Sequence, residues 1–133
     1  MDLKNTAKMS HDIVADALNQ IMNAKRAGHA SVQVKHSSKF LVSVLALAKL
    51  RGYIADYKSS GREMLIEIGA KLNKCNAIKP RYLIKASDIT KYVRRYLPSR
   101  DMGVLIISTN QGLLAHHTAI QKNLGGSVIA YFY

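Results

Sequence analysis

The stretch "GVLIISTNQGLLAHH", residues 103–117, decides how the chain is read. Val104 to Ile107 form an apolar run rich in β-branched side chains and entered from the turn residue Gly103, which predicts a buried strand. The run stops at a cluster of small hydrogen-bonding side chains, Ser108, Thr109, Asn110 and Gln111, followed by Gly112. Beyond it, Leu113, Leu114, Ala119 and Ile120 fall at helical spacing, so the pattern predicts a strand, a neutral polar turn and a helix.

A neutral turn is unexpected in this chain. Lys and Arg number 20 against 8 Asp and Glu, a formal net charge of +12. Self-repulsion on that scale disfavours a compact state and is usually tolerated because the partner is polyanionic, which makes nucleic acid the leading partner. Of the 20 basic residues, 17 lie between Lys25 and Arg100, whereas Lys122 is the one Lys or Arg from Met102 to Tyr133. Phosphate contacts are therefore expected from the middle of the chain. Any contact made by the last quarter must rest on hydrogen bonds and shape.

Other classes fit less well. No apolar run approaches the roughly 20 residues of a membrane span, the basic residues form no long amphipathic helix with a bulky apolar face, and the polar start "MDLKNTAKMSHD" has no signal-peptide pattern. The single cysteine, Cys75, offers neither an internal disulfide nor a metal quartet, and a reducing, cytoplasmic setting fits it. His11, His29, His36, His116 and His117 show no ligand spacing with Cys75 or a carboxylate, so no metal is expected. Ser108 as a nucleophile needs a base and an orienting acid, and no Asp or Glu follows Asp101. Neither catalysis nor a cofactor is expected.

With 133 residues, 48% of them hydrophobic, the chain is long enough for one domain or two small lobes sharing a core. Ser10 is a candidate cap for a helix running to about Ala27, with Ile13, Val14, Ala17, Leu18, Ile21 and Met22 on one face and Gly28 closing it. "ASVQVKH" alternates like a strand, and Ser37 or Ser38 starts a second helix that Gly52 ends. "YIADYK" and "EMLIEIG" predict a hairpin around Ser59-Ser60-Gly61. The polar stretch "KLNKCNAIKP", closed by Pro80, reads as a junction. A strand at Tyr82–Lys85, a short helix from about Asp88 to Tyr96 halted by Pro98, and a terminal strand "SVIAYFY" complete the pattern. The expectation is an α+β fold of two small mixed α/β lobes, residues 1–72 and 73–133, the second carrying the Ser-Thr turn.

"GVLIISTNQGLLAHHTA" resembles the signature of the family of the eighth small-subunit ribosomal protein: a Gly, paired aliphatics, Ser-Thr, two further residues, a Gly and two more aliphatics. "HDIVADALNQIMNA" is similar to that family's opening helix, "SSKFL" to the start of its second helix and "NLGGSVIAYFY" to its closing strand. "KLNKCNAIKPRY" and "YLPSRDMG" resemble its archaeal and eukaryotic branch, and the likeness runs from about Ser10 to Tyr133. The chain departs in a few extra residues before the first helix, a short hairpin around Gly61, and Asn110 where a small hydroxyl residue is common. The resemblance implies a cytoplasmic ribosomal protein, not an enzyme. Such a protein binds the central domain of small-subunit ribosomal RNA early in assembly, beside neighbouring ribosomal proteins, and is a monomer when isolated.

Candidate contacts follow from both arguments. An A-form helix offers side chains its shallow minor groove, lined by 2′-hydroxyls, so short hydroxyls and amides suit it. Ser108, Thr109, Asn110, Gln111 and Gly112 are therefore the first candidates, with the N–H groups of the expected Leu113 helix adding an anion site. Gly125 and Gly126 either bring a loop close to the RNA backbone or simply turn the chain. Ser37 and Lys39 are either a phosphate site at a helix start or a cap with a solvated lysine. Arg81, Lys85, Lys91, Arg94 and Arg95 form a dense basic stretch, suited to phosphates or to solvent alone. Tyr131, Phe132 and Tyr133 alternate faces in a strand, so at least one belongs in the core and another is a candidate for base stacking. Two rivals remain: a basic nucleic-acid-binding protein of low sequence specificity, and a nucleotide-binding enzyme using the Ser108–Gly112 turn, which lacks the Gly-rich spacing and Lys of a P-loop.

Overall fold

The computed structural model describes residues 13–79, 81–99 and 102–133. Helix α1 (Ile13–Arg26) buries Val14, Ala17, Leu18 and Ile21 on one face, with Ile13 and Met22 packed at its margin. Its candidate cap, Ser10, lies outside the described residues. Strand β1 (Ser31–Val34) leads into α2 (Lys39–Leu50), where Ser38 is the cap: its hydroxyl accepts the N–H of Leu41 at 3.1 Å. Strands β2 (Ile54–Ser60) and β3 (Glu63–Ile68) form a hairpin, and the antiparallel sheet runs β1-β3-β2. Its turn is Gly61-Arg62, further along than expected, because the ladder continues until Ser60 stands opposite Glu63.

The second half builds around a larger antiparallel sheet. Strands β4 (Cys75–Ala77) and β5 (Leu83–Ile84) precede a 3-10 turn, Ala86–Asp88, and helix α3 (Ile89–Tyr96). Strand β6 (Val104–Thr109), β7 (Gly112–Ala115), helix α4 (His116–Gln121) and β8 (Gly126–Phe132) follow. The sheet order is β4-β8-β6-β7, with β5 paired to the start of β8. The polar stretch read as a junction thus supplies an edge strand, with Cys75 and Ile78 buried. The architecture is α+β.

One expectation fails. Leu113 and Leu114 belong to strand β7 and not to a helix; the helix starts at His116. Leu113 packs against the core beneath the first sheet and Leu114 against a second core under α3 and α4. Adjacent residues reach opposite sides only in an extended chain, so these two contacts select a strand despite the helical spacing.

Strand β6 obeys the same rule. Val104 and Ile106 enter the first core, together with Phe132, Met64 and the apolar faces of α1 and α2, while Leu105 and Ile107 enter the second, with Ile89, Val93 and Val128. On its far side, β8 pairs with β6 through a register shift between Ile106 and Ile107, so that Ile129 and Ala130 both face the first core.

His116 extends the β6 ladder where β7 ends. Its Nδ1 accepts the N–H of Leu105 at 3.0 Å, which places the proton of the neutral ring on Nε2. Burial, with His117 and Arg51 nearby, pushes its pKa down from 6.5 to about 4. Between those values the unfolded chain binds the extra proton, so the stability that the neutral ring contributes is complete above pH 6.5 and lost as pH falls toward 4. Denaturant titrations should show wild type losing on the order of 2 kcal/mol more than His116→Asn between pH 7 and pH 4.5. Equal losses would remove His116 as the titrating group.

Candidate nucleic-acid interface

Thr109 closes β6 and pairs with Gly112, leaving Asn110 and Gln111 as the tip of a hairpin. Neither tip residue has a positive φ; that conformation falls on Gly112, at φ +101°, where nothing within 4 Å opposes a side chain. Glycine is required there by the backbone and not by crowding. The Thr109 hydroxyl donates to the Gly112 carbonyl at 2.8 Å and accepts the Gln111 N–H at 3.1 Å. It is spent on the shape of the turn. Ser108 is half-buried beneath the tip, while Asn110 and Gln111 are exposed, and Lys122 reaches Gln111 Oε1 at 3.5 Å.

Four strand ends meet at this point, since β6 and β5 finish here and β7 and β8 begin. Gly126 lies so close to β6 that a Cβ on it would overlap the carbonyl oxygen of Ser108, and one on Gly125 would stand 2.5 Å from the carbonyl oxygen of Ile84 and 3.1 Å from Lys85 Cα. Both glycines therefore serve close packing between strands. Their effect is to bring Lys85, Ser108, Thr109, Asn110, Gln111 and Gly112 to one end of the sheet. Ser127 stands opposite Ser108 across the ladder and adds a second half-buried hydroxyl. Sequence reasoning missed Ser127 and Lys122; the Gly-Gly-Ser triplet signals the first, and nothing local signals the second.

The anion site expected from a Leu113 helix is absent, because Gly112–Ala115 is a strand and its N–H groups belong to the hairpin ladder. A strand–turn–helix phosphate cradle has no frame here. The other candidates fall into two further places. At the start of α2, Lys39 is exposed and Ser37 half-buried, and the Arg81 guanidinium lies 5.2 Å from the ring of Phe40, next in the chain to Lys39. On α3, Lys91, Arg94 and Arg95 are exposed, with Arg95 5.9 Å from the ring of Tyr82 and 5.8 Å from that of Tyr96. Tyr96 stacks on Tyr131, four residues along β8 from Ser127, or roughly 13 Å at the rise of a strand. At the terminus, Phe132 and Tyr131 are core residues and Tyr133 is half-buried.

Fold and site together define a basic, two-sheet α+β protein with an uncharged hydrogen-bonding tip at one sheet end. Residues 12–133 match the ribosomal protein S8 family. Two proteins of Schizosaccharomyces pombe, small ribosomal subunit proteins uS8A and uS8B, are each 37% identical to the chain over 126 residues, covering 91% of it and 96% of themselves. The chain belongs to the ribosomal protein S8 family, on its eukaryotic side.

The packing of Gly126 is open to a direct check. Gly126→Ala should lower the melting midpoint by an amount equivalent to about 1–3 kcal/mol, because a backbone carbonyl cannot move aside as a flexible side chain can. A melting curve superposable on that of wild type would show that the approach is not limiting.

Proposed function

We propose that the chain is a structural constituent of the small ribosomal subunit, and that it binds and organises the central domain of the subunit's ribosomal RNA during assembly. The observation that carries this reading is the neutral hairpin tip, held at the junction of four strand ends, in a chain of net charge +12 from a ribosomal protein family. On this reading Ser108, Asn110 and Gln111 meet 2′-hydroxyls and base edges in a shallow minor groove or at unpaired bases. Thr109 and Gly112 hold them in place. Lys39, Lys85, Arg81, Arg94 and Arg95, with Ser37 beside Lys39, serve phosphates around the tip, and Gly125 and Gly126 keep the surface beside the tip low. The protein acts as a monomer in cytoplasmic ribosomes, next to other small-subunit proteins, with no metal, cofactor or catalytic step. No helix among the described residues is long and apolar enough to cross a membrane.

Two kinds of substitution separate reading from holding. Ser108→Ala leaves the Thr109 bonds and the charge intact, so cognate RNA affinity should fall by about 1–3 kcal/mol at an unchanged salt dependence. Thr109→Val loses the two bonds that shape the turn, and should cost at least as much. Arg94→Gln with Arg95→Gln should instead weaken cognate and unrelated RNA alike, lowering the slope of log K against log salt by roughly 0.7–0.9 for each phosphate no longer neutralised. Filter binding of a central-domain fragment at several salt concentrations, with circular dichroism on each variant, checks both. Wild-type affinity in Ser108→Ala and Thr109→Val would reduce the turn to a structural element, and preferential binding of duplex DNA would favour a non-specific nucleic-acid binder.

A further inference from the structure

Five of the chain's seven tyrosines lie in one run on the side of the second sheet covered by α3. Tyr92 meets Tyr82 at 5.9 Å between ring centroids, Tyr96 meets Tyr131 at 5.5 Å and 27°, and Tyr131 meets Tyr133 at 6.0 Å and 10°. Arg95 bridges the two groups, within 6 Å of both Tyr82 and Tyr96. Sealing the core explains Tyr131, which is buried; the other four rings are only half-buried. Core sealing also gives no role to the cations at the rim. Lys91, Arg94 and Arg95 are all exposed, and α3 itself contains no carboxylate.

Planar faces bordered by cations match a ligand that is planar and anionic at once, which is a nucleotide with its base unstacked. Paired bases in a helix cannot use such a surface, since their faces are already covered. We propose that the Tyr82–Arg95–Tyr96 run is a second RNA site, starting at Tyr82, whose carbonyl accepts the Val128 N–H next to Ser127, that takes unpaired nucleotides. The base stacks on the Arg95 guanidinium and the adjoining tyrosine faces, while Lys91 and Arg94 meet the flanking phosphates. This rests on the RNA-binding reading above but assigns Arg95 a planar contact where that reading needs only its charge.

The chain has no tryptophan, so its emission comes from tyrosine and reports stacking directly. Titrating the full chain with single-stranded hexaadenylate should quench that emission, and an abasic oligomer of the same length should bind at least about fivefold more weakly. Arg95→Lys keeps the charge and the attraction to the rings but has no planar face, so it should weaken hexaadenylate binding about five- to tenfold at an unchanged salt slope. Arg62→Lys, the same exchange at the exposed β2–β3 turn, should have little effect. Equal affinity for the abasic oligomer, or wild-type affinity in Arg95→Lys, overturns the stacking site. If a central-domain fragment still binds in a Ser108-dependent way, such a result leaves the proposed function standing. Conversely, stacking of hexaadenylate without recognition of that fragment would strike the proposed function and spare this site.

Discussion

Strand β6 is buried on both faces, and the rest of the structure is arranged to cover it. Val104 and Ile106 point into the core shared with α1, α2 and the first sheet, and Leu105 and Ile107 into the core under α3 and α4. Fully burying four such side chains is worth on the order of 6–12 kcal/mol, an upper estimate that equals most of the net stability of a small domain. Leu113 and Leu114 on β7, and Ile129 and Val128 on β8, then repeat the same division between the two cores on either side of β6. The two sheets share one central strand's burial and do not stand as independent units.

That constraint also sets the candidate site. Where β6 leaves the double core, Ser108 and Thr109 emerge half-buried on a backbone that β7 and β8 hold from both sides. Hydrogen bonds are directional and weaken steeply when misaligned, so the RNA-reading role proposed for the tip gains from such a mounting. A cation that only attracts a phosphate backbone, the part proposed for Lys39 and Arg94, needs no such precision, because that attraction is long in range and carries no sequence information.

Much of this was legible in local pattern. The face of α1, the extent of α2, the β2–β3 hairpin, the buried β6 run and the terminal strand follow from periodicity and from start and stop residues, each being decided within about fifteen residues. Strand β4 was not, because its three residues, Cys75, Asn76 and Ala77, become a strand by adding to β8 more than fifty positions away. Leu113 and Leu114 misled for a related reason: two adjacent leucines fit a helix or a strand equally, and the choice belonged to two cores that no local window contains. Arg81 against Phe40 and Arg95 between Tyr82 and Tyr96 are likewise contacts between separate elements.

The sequence by itself determined that the chain is basic, that its charge leaves the last quarter, that it folds as α+β, and that Ser108–Gly112 is a polar turn bounded by apolar segments. These are properties of composition and of spacing along the chain, and every one of them survives in the fold. The tertiary structure alone decided that the turn is a hairpin tip and not a helix start, that the Thr109 hydroxyl is consumed in shaping it, and that Gly125 and Gly126 bring it beside Lys85 and Ser127. The first and the last depend on pairing with another strand, whose register is set by the cores on both faces of β6, and the Thr109 bonds form because that pairing makes the turn a hairpin.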